Sequence, residues 1–336
     1  MERTTDERGF RPHGPLLALL DYLDATMPHV ALTWQQWSIA PIAGGANNLL
    51  YRVTRSGRDY AVKFAVRDDR NRAGREYAAL AALHHAGLEL APQPIWVDHD
   101  RYRQPVMVQT WLDGEALTAP PQTDGDWEAL LRHYCAIHSL TPSQTTVAIA
   151  DAVHNAASGS AGRELVHQHV ARLPPEARPA SLLRLLAWFD DWTPPTWPEP
   201  PRTLCRVDPN WQNFIRRPHG WASVDWENSG WGDPAFELAD LLVHPAYEGV
   251  PMARRQELSA GYAQQMEDPT ADVRIQTYYT VLLMWWVVRW ARYLYEVPRG
   301  LDPRLVARPT GWQEHAEREY AQYLARTEEH FESLST

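Results

Sequence analysis

The 336 residues are 44% hydrophobic and 22% charged, the balance of a globular chain long enough to form two lobes rather than one core. A net charge of −10, concentrated beyond residue 110, has the wrong sign for recognising nucleic acid through its phosphates, and the two cysteines, Cys135 and Cys205, exclude a disulfide framework and read as core thiols. The longest apolar run, VLLMWWVV at 281–288, is too short to span a bilayer and the first residues carry no apolar secretion signal, so a cytoplasmic protein with no membrane partner is expected.

The chain opens with an amphipathic helix at 15–27 (PLLALLDYLDATM). Three strands follow, WSIAPI (37–42), NLLYRVTR (48–55) and RDYAVKFAV (58–66), separated by the turn-forming AGGANN and SG, which makes an antiparallel meander. A helix over about 70–86 ends at Gly87, and PQPIWVD and QPVMVQTW read as two more strands. From LDGEAL onward the pattern turns helical, at 126–139, 162–172, 181–192, 234–244, 253–266, 272–296 and 313–333, with proline-rich connections and one embedded strand pair at 213–217 and 221–226. The expected class is therefore α+β, with a small antiparallel-sheet lobe over 1–110 and a larger, mainly helical lobe over 111–336.

Lys63 is the only lysine among 32 basic residues. It lies on the third strand, facing away from Val62 and Phe64, and Glu76 follows in the next helix. A lysine held by a helix carboxylate is a compact charge that bridges phosphate oxygens where arginine's longer planar fork does not. Further on, CRVDPNWQNFIRR sets Asp208 five positions before Asn213 on a loop entering a strand, and SVDWENSGWGDPAFELADLL places Asp225 at the end of the next strand. Such a loop brings an aspartate to a substrate hydroxyl, while asparagine and the second aspartate supply oxygens to magnesium. Each residue alone has an ordinary structural explanation, since Asp-Pro starts turns and Asn precedes strands. The ordered set does not.

These motifs resemble the aminoglycoside phosphotransferase and choline kinase family, small-molecule kinases of the protein-kinase-like bilobal fold. RVDPNWQN, VDW and WGDPAFELADL stand where that family carries its catalytic loop, metal-binding strand end and following helix. The resemblance implies that Asp208 is the catalytic base, that Asn213 and Asp225 hold Mg2+, and that Lys63, oriented by Glu76, contacts the phosphates of ATP or GTP. It also implies that PIAGGANNLLYRV, with Gly44, Gly45, Asn47 and Asn48 at its turn, covers the phosphates, and that backbone groups from Gln109 to Trp111 face the adenine. Asp233 reads as a helix cap. The chain departs from the family where Arg206 and Val207 replace the usual His-Gly, a histidine that braces the loop rather than serving as the base.

For the acceptor, the aromatic helix at 276–297 offers ring faces: Trp285 and Trp286 are read as buried in the centre of the lobe, while Trp290 and Tyr293 stay undecided between core and acceptor cleft. With acids such as Glu237, Asp240 or Glu296 nearby, such faces would bind an ammonium group, so an amine-bearing small hydroxylated acceptor is the preferred expectation, and a sugar, an amino alcohol, an antibiotic or a natural-product intermediate stays open. His167 and His169 sit one residue apart on a helix, which does not suit a metal. A second reading, prompted by Arg206-Val207, is a catalytically weak nucleotide-binding module acting as a sensor or scaffold. A protein kinase fits less well, because no activation segment separates Asp225 from the helix at 234.

Overall fold

The computed structural model describes residues 14–43 and 47–334. Gly44 and Gly45 therefore lie outside the described residues. After helix α1 (Gly14–Thr26), an antiparallel sheet is built from β1 (Leu32–Trp34), β2 (Trp37–Ile42), β3 (Leu49–Arg55), β4 (Arg58–Phe64), β5 (Pro94–Asp98) and β6 (Val106–Thr110), in the order β1-β2-β3-β4-β6-β5. Helix α2 (Arg72–His85) connects β4 to β5. Alternation gives the sheet two faces. On one, Ile39, Val53, Val62, Phe64, Val106 and Val108 join the α1 leucines Leu19, Leu20 and Leu23 in a core. Lys63, its cross-strand partner Met107 and Gln109 take the other face, and Met107 packs there with Ala79, Leu80 and Leu83 of α2.

Beyond Thr110 the chain is mainly helical: α3 (Asp124–His138), α4 (Gly159–Ala171), α5 (Ala180–Asp191), α6 (Pro234–Val243), α7 (Met252–Gln265), α8 (Ala271–Glu296) and α9 (Trp312–Leu334). Helix α8, apolar nearly all round, is the axis of this lobe, with α4, α6 and α9 packed on it. Gly162 of α4 permits the close approach: a Cβ there would meet both Val281 methyls at 3.0 Å. Short strands β7 (Glu115–Ala116), β8 (Thr203–Cys205), β9 (Phe214–Arg217), β10 (Gly220–Ser223) and β11 (Gly230–Gly232) complete two small sheets, β10-β9-β7 and β11-β8.

The bilobal α+β architecture is as expected, and so is the β2-β3-β4 meander. The strand expected to run to 226 ends at Ser223, because Asp225 turns the backbone into the left-handed region with φ 63°. β1, β7, β8 and β11 escape the sequence reading, since two or three residues are too few to show a period. Among the described residues no helix is long and apolar enough to cross a membrane.

Candidate active site

The two lobes meet around Lys63. Its ammonium lies 2.8 Å from Glu76 Oε2, pairs directly with Asp225 and stands 3.5 Å from Glu227. Burial alone would lower the lysine pKa, but Asp225, Glu76 and Glu227 together hold it well above its ordinary value. Desolvation in the site would raise Asp225, which is only half-buried, yet Lys63 holds its carboxyl below the usual range. This site thus keeps a charged lysine and an ionised aspartate side by side.

Glu227, two residues past Asp225, was not singled out from the sequence. It accepts from Asn48 Nδ2 and pairs with Arg72 of α2, so it joins the β2–β3 loop, α2 and the Asp225 segment. Asn48 also accepts the Val66 amide at 3.1 Å through Oδ1, which commits its side chain to the protein. Asn47 lies beside it at the same turn, half-buried, and its carbonyl accepts the Leu305 amide at 3.0 Å. That contact reaches the segment between α8 and α9.

Asp208 stands across from this cluster on a strained loop. Val207 (φ 57°), Asp208 (φ 89°) and Asp225 (φ 63°) all occupy the left-handed region, which costs roughly 1–3 kcal/mol per residue and persists only where surroundings enforce it. The enforcement is visible. Arg206, fully buried, donates to the Asp208 carbonyl and, at 3.0 and 3.4 Å, to the carbonyls of Val224 and Asp225, while its guanidinium stacks 5.0 Å over Phe214. Glu237 of α6 accepts the amides of Arg206 and Val207 at 2.9–3.1 Å and meets His138 at 2.9 Å. Asp208 Oδ1 accepts the Asn210 amide at 3.1 Å. Burial pushes its carboxyl up to about 6, although Arg206 pulls the other way.

Asn213 enters β9 with its carbonyl accepting the Val224 amide at 2.9 Å, which sets it one residue from Asp225 across the strand pair. Its side chain has no hydrogen-bond partner among the described residues. Trp111 follows β6, its amide donating to the Asp59 carbonyl and its ring lying 4.6 Å under the Arg52 guanidinium. Gln109 is buried on the Lys63 face of the sheet with Oε1 unpartnered. Asp233 caps α6 as expected, accepting the Ala235 amide at 2.9 Å.

Beneath Asp208 opens a cavity of about 1010 Å³ whose lining includes Asp240, Trp285, Trp286, Trp290 and Tyr293. Three expectations need correction here. Glu237 does not reach the cavity: it is 2% exposed, and its oxygens are taken up by the loop amides and His138. Asp240 does line the cavity, but burial, reinforced by Asp208, raises its carboxyl to about 8, so it is a poor anion near neutrality. Trp286, read as buried, is half-buried and lines the wall. The histidine pair divides as its helix dictates, His167 toward Asp190 and His169 toward Arg292.

No protein of curated function matches the sequence significantly. Solved structures match the fold along nearly the whole chain. A Ralstonia eutropha JMP134 protein provisionally named an aminoglycoside phosphotransferase is 14% identical, with a TM-score of 0.65 over 92% of this chain and 98% of its own. A choline/ethanolamine kinase family protein from Mesorhizobium loti is 18% identical, at 0.61 over 93% and 98%. A spectinomycin phosphotransferase, solved with ADP and spectinomycin, is 14% identical, at 0.57 over 91% and 93%. The model of the phosphotransferase enzyme family matches residues 38–273, which take in most of the β-sheet lobe, the Asp208 loop, the Asp225 turn and helices α2 to α7. The chain belongs to the phosphotransferase enzyme family.

Proposed function

We propose that the protein transfers the γ-phosphoryl group of ATP or GTP, in a magnesium-dependent reaction, to a hydroxyl of a small molecule held in the cavity under Asp208. The observation that carries this reading is the Lys63–Glu76 pair meeting Asp225 across the lobes, with Asp208 at the mouth of the cavity. The nucleotide lobe then ends near Thr110, at the connector.

The residues fit both ligands. Asn213 offers an unengaged side-chain oxygen and Asp225 an ionised carboxylate, a hard, oxygen-only set that would hold magnesium. When bound, the metal supplies charge neutralisation on the phosphates. The buried, unpartnered Oε1 of Gln109 fits a nucleobase on the Lys63 face. Trp111 is assigned to the base with it, and Gly44, Gly45, Asn47 and Asn48 to the loop over the phosphates. Lys63 holds phosphate oxygens, oriented by Glu76. Asp208 takes the acceptor hydroxyl's proton as the new O–P bond forms and the bond from the γ-phosphorus to the nucleoside diphosphate breaks. Arg206 keeps that loop in place, so the residue that prompted the binding-module alternative supports the catalytic one. Use of intracellular nucleotide accords with a cytoplasmic location.

The expectation of an amine-bearing acceptor is weakened, since it loses Glu237 and keeps Asp240 largely neutral. The test is a melting-temperature series with ATP or GTP, with and without magnesium, followed by diphosphate release with a panel of hydroxylated molecules. A magnesium-dependent rise, lost in Asp225→Ala, is expected. No rise at millimolar nucleotide overturns the reading.

A further inference from the structure

The cavity wall is a ladder of aromatic rings that starts at Asp208. His244 Nε2 stands 3.9 Å from Asp208 Oδ1. From His244, ring centroids step to Trp286 at 5.1 Å, Trp290 at 6.1 Å, Tyr293 at 5.8 Å and Trp312 at 5.6 Å. At the far end Tyr293 is surrounded by guanidinium groups: Arg289 at 5.2 Å, Arg304 at 5.3 Å and Arg308 at 5.8 Å from its ring. Arg304 and Arg308 share Asp302, at 3.3 and 2.7 Å. Arg289, by contrast, has neither an ion pair nor a hydrogen bond among the described residues, although it lines the cavity.

The charge of the lining follows. Arg70, Arg289, Arg304 and Arg318 face three carboxyl groups, Asp208, Asp240 and Glu319. Burial raises Asp240 and Glu319 toward their neutral forms. An ammonium entering this end meets an aromatic face already covered by cations. An anion meets a guanidinium whose planar fork lacks a partner, the arrangement in which paired N–H···O bonds form.

We infer that the acceptor has an apolar or aromatic body lying on the Trp286–Trp290 wall and, away from its reacting hydroxyl, an anionic group such as a carboxylate or phosphate that binds Arg289. Only the placing of the hydroxyl at Asp208 rests on the phosphotransferase reading; the anion site stands on the cavity itself.

A matched series tests it: 4-(hydroxymethyl)benzoate, 1,4-benzenedimethanol and 4-(aminomethyl)benzyl alcohol share one ring and one hydroxymethyl group and differ in charge at the opposite end. Calorimetric titration without nucleotide is expected to rank them carboxylate, diol, amine. Arg289→Met should weaken the carboxylate roughly tenfold or more and leave the diol nearly unchanged. Arg289→Lys should recover part of the loss, which keeps the test valid if the methionine variant folds poorly. Equal or tighter binding of the amine, no binding of any of the three at millimolar concentration, or a carboxylate affinity indifferent to Arg289→Met overturns the inference. Diphosphate release, measured separately, tells the two claims apart. Carboxylate binding without transfer from any triphosphate sinks the reaction and spares the anion site, whereas transfer to the amine with the carboxylate ignored does the reverse.

Discussion

Lys63 and Glu76 meet at 2.8 Å with side chains only 10% and 1% exposed, and the same ammonium touches Asp225 on the other lobe. Lys63→Arg keeps the charge but replaces a point donor with a longer planar fork in a space bounded by three carboxylates. Turnover is expected to fall by at least roughly a hundredfold, a loss of positioning rather than charge. Steady-state diphosphate release measures it, and wild-type turnover in the arginine variant would refute the assigned role.

Asp208→Asn removes the proposed proton acceptor and keeps the shape. Turnover should drop by roughly 10²- to 10⁴-fold, with nucleotide affinity little changed in a calorimetric titration. Because the carboxyl is held at about 6, wild-type kcat/KM should fall as the pH drops through that value and the base becomes protonated. A profile flat from pH 7 to pH 5 would contradict this.

Arg206→Ala strips three backbone carbonyls of their buried donor at once. A loss of about 3 kcal/mol of stability is expected from unsatisfied acceptors, read from urea unfolding. Arg206→His, which restores a bracing ring, should recover part of it. Equal unfolding midpoints for the alanine variant and wild type would count against the bracing role.

Four histidines are buried neutral. Burial lowers His133 and His244 to about 3, His154 to about 4 and His169 to about 2. In the unfolded chain they protonate near their ordinary value, so the stability of the neutral form is fully present above that value and is lost as the pH falls below it. Asp208 and Asp240, raised to about 6 and about 8, work the other way, since the folded state holds their protons more tightly. Glu76, Asp233 and Glu319 are raised in the same sense and His330 is lowered like the other histidines, and the imidazoles, whose ordinary value lies inside the interval from pH 7 to pH 5, set the direction. The melting temperature should therefore fall between pH 7 and pH 5, and a rise over that interval would show the histidines to be solvated.

The positions of Lys63, Glu76, Asp208, Asn213 and Asp225 were legible because each lies on an element whose type the local pattern announces: a strand, a helix start, a loop entering a strand pair. Glu237 was misread because its spacing on α6 suits either a cavity or a loop, and only the fold shows the Arg206 and Val207 amides beside it. Glu227 was invisible for a related reason, since its partners Asn48 and Arg72 lie more than 150 positions away. The charge of the cavity was also out of reach. Arg70, Arg289, Arg304 and Arg318 come from separate stretches, and a chain with a net charge of −10 gives no hint that the cavity under Asp208 gathers four arginines.

The hydrogen bond from the Leu305 amide to the Asn47 carbonyl ties the turn proposed to lie beside the nucleotide phosphates to the segment that carries Arg304 and Pro309 into the cavity under Asp208. If Asn47 moves when nucleotide exchanges, the bond would pull on the cavity wall, and an acceptor pressing on that wall would hold Asn47 in place. Whatever factor one ligand contributes to the other's affinity must be returned in equal measure. On the proposed reading the two ligands would therefore not arrive independently, and a saturating acceptor would slow the departure of the spent nucleotide.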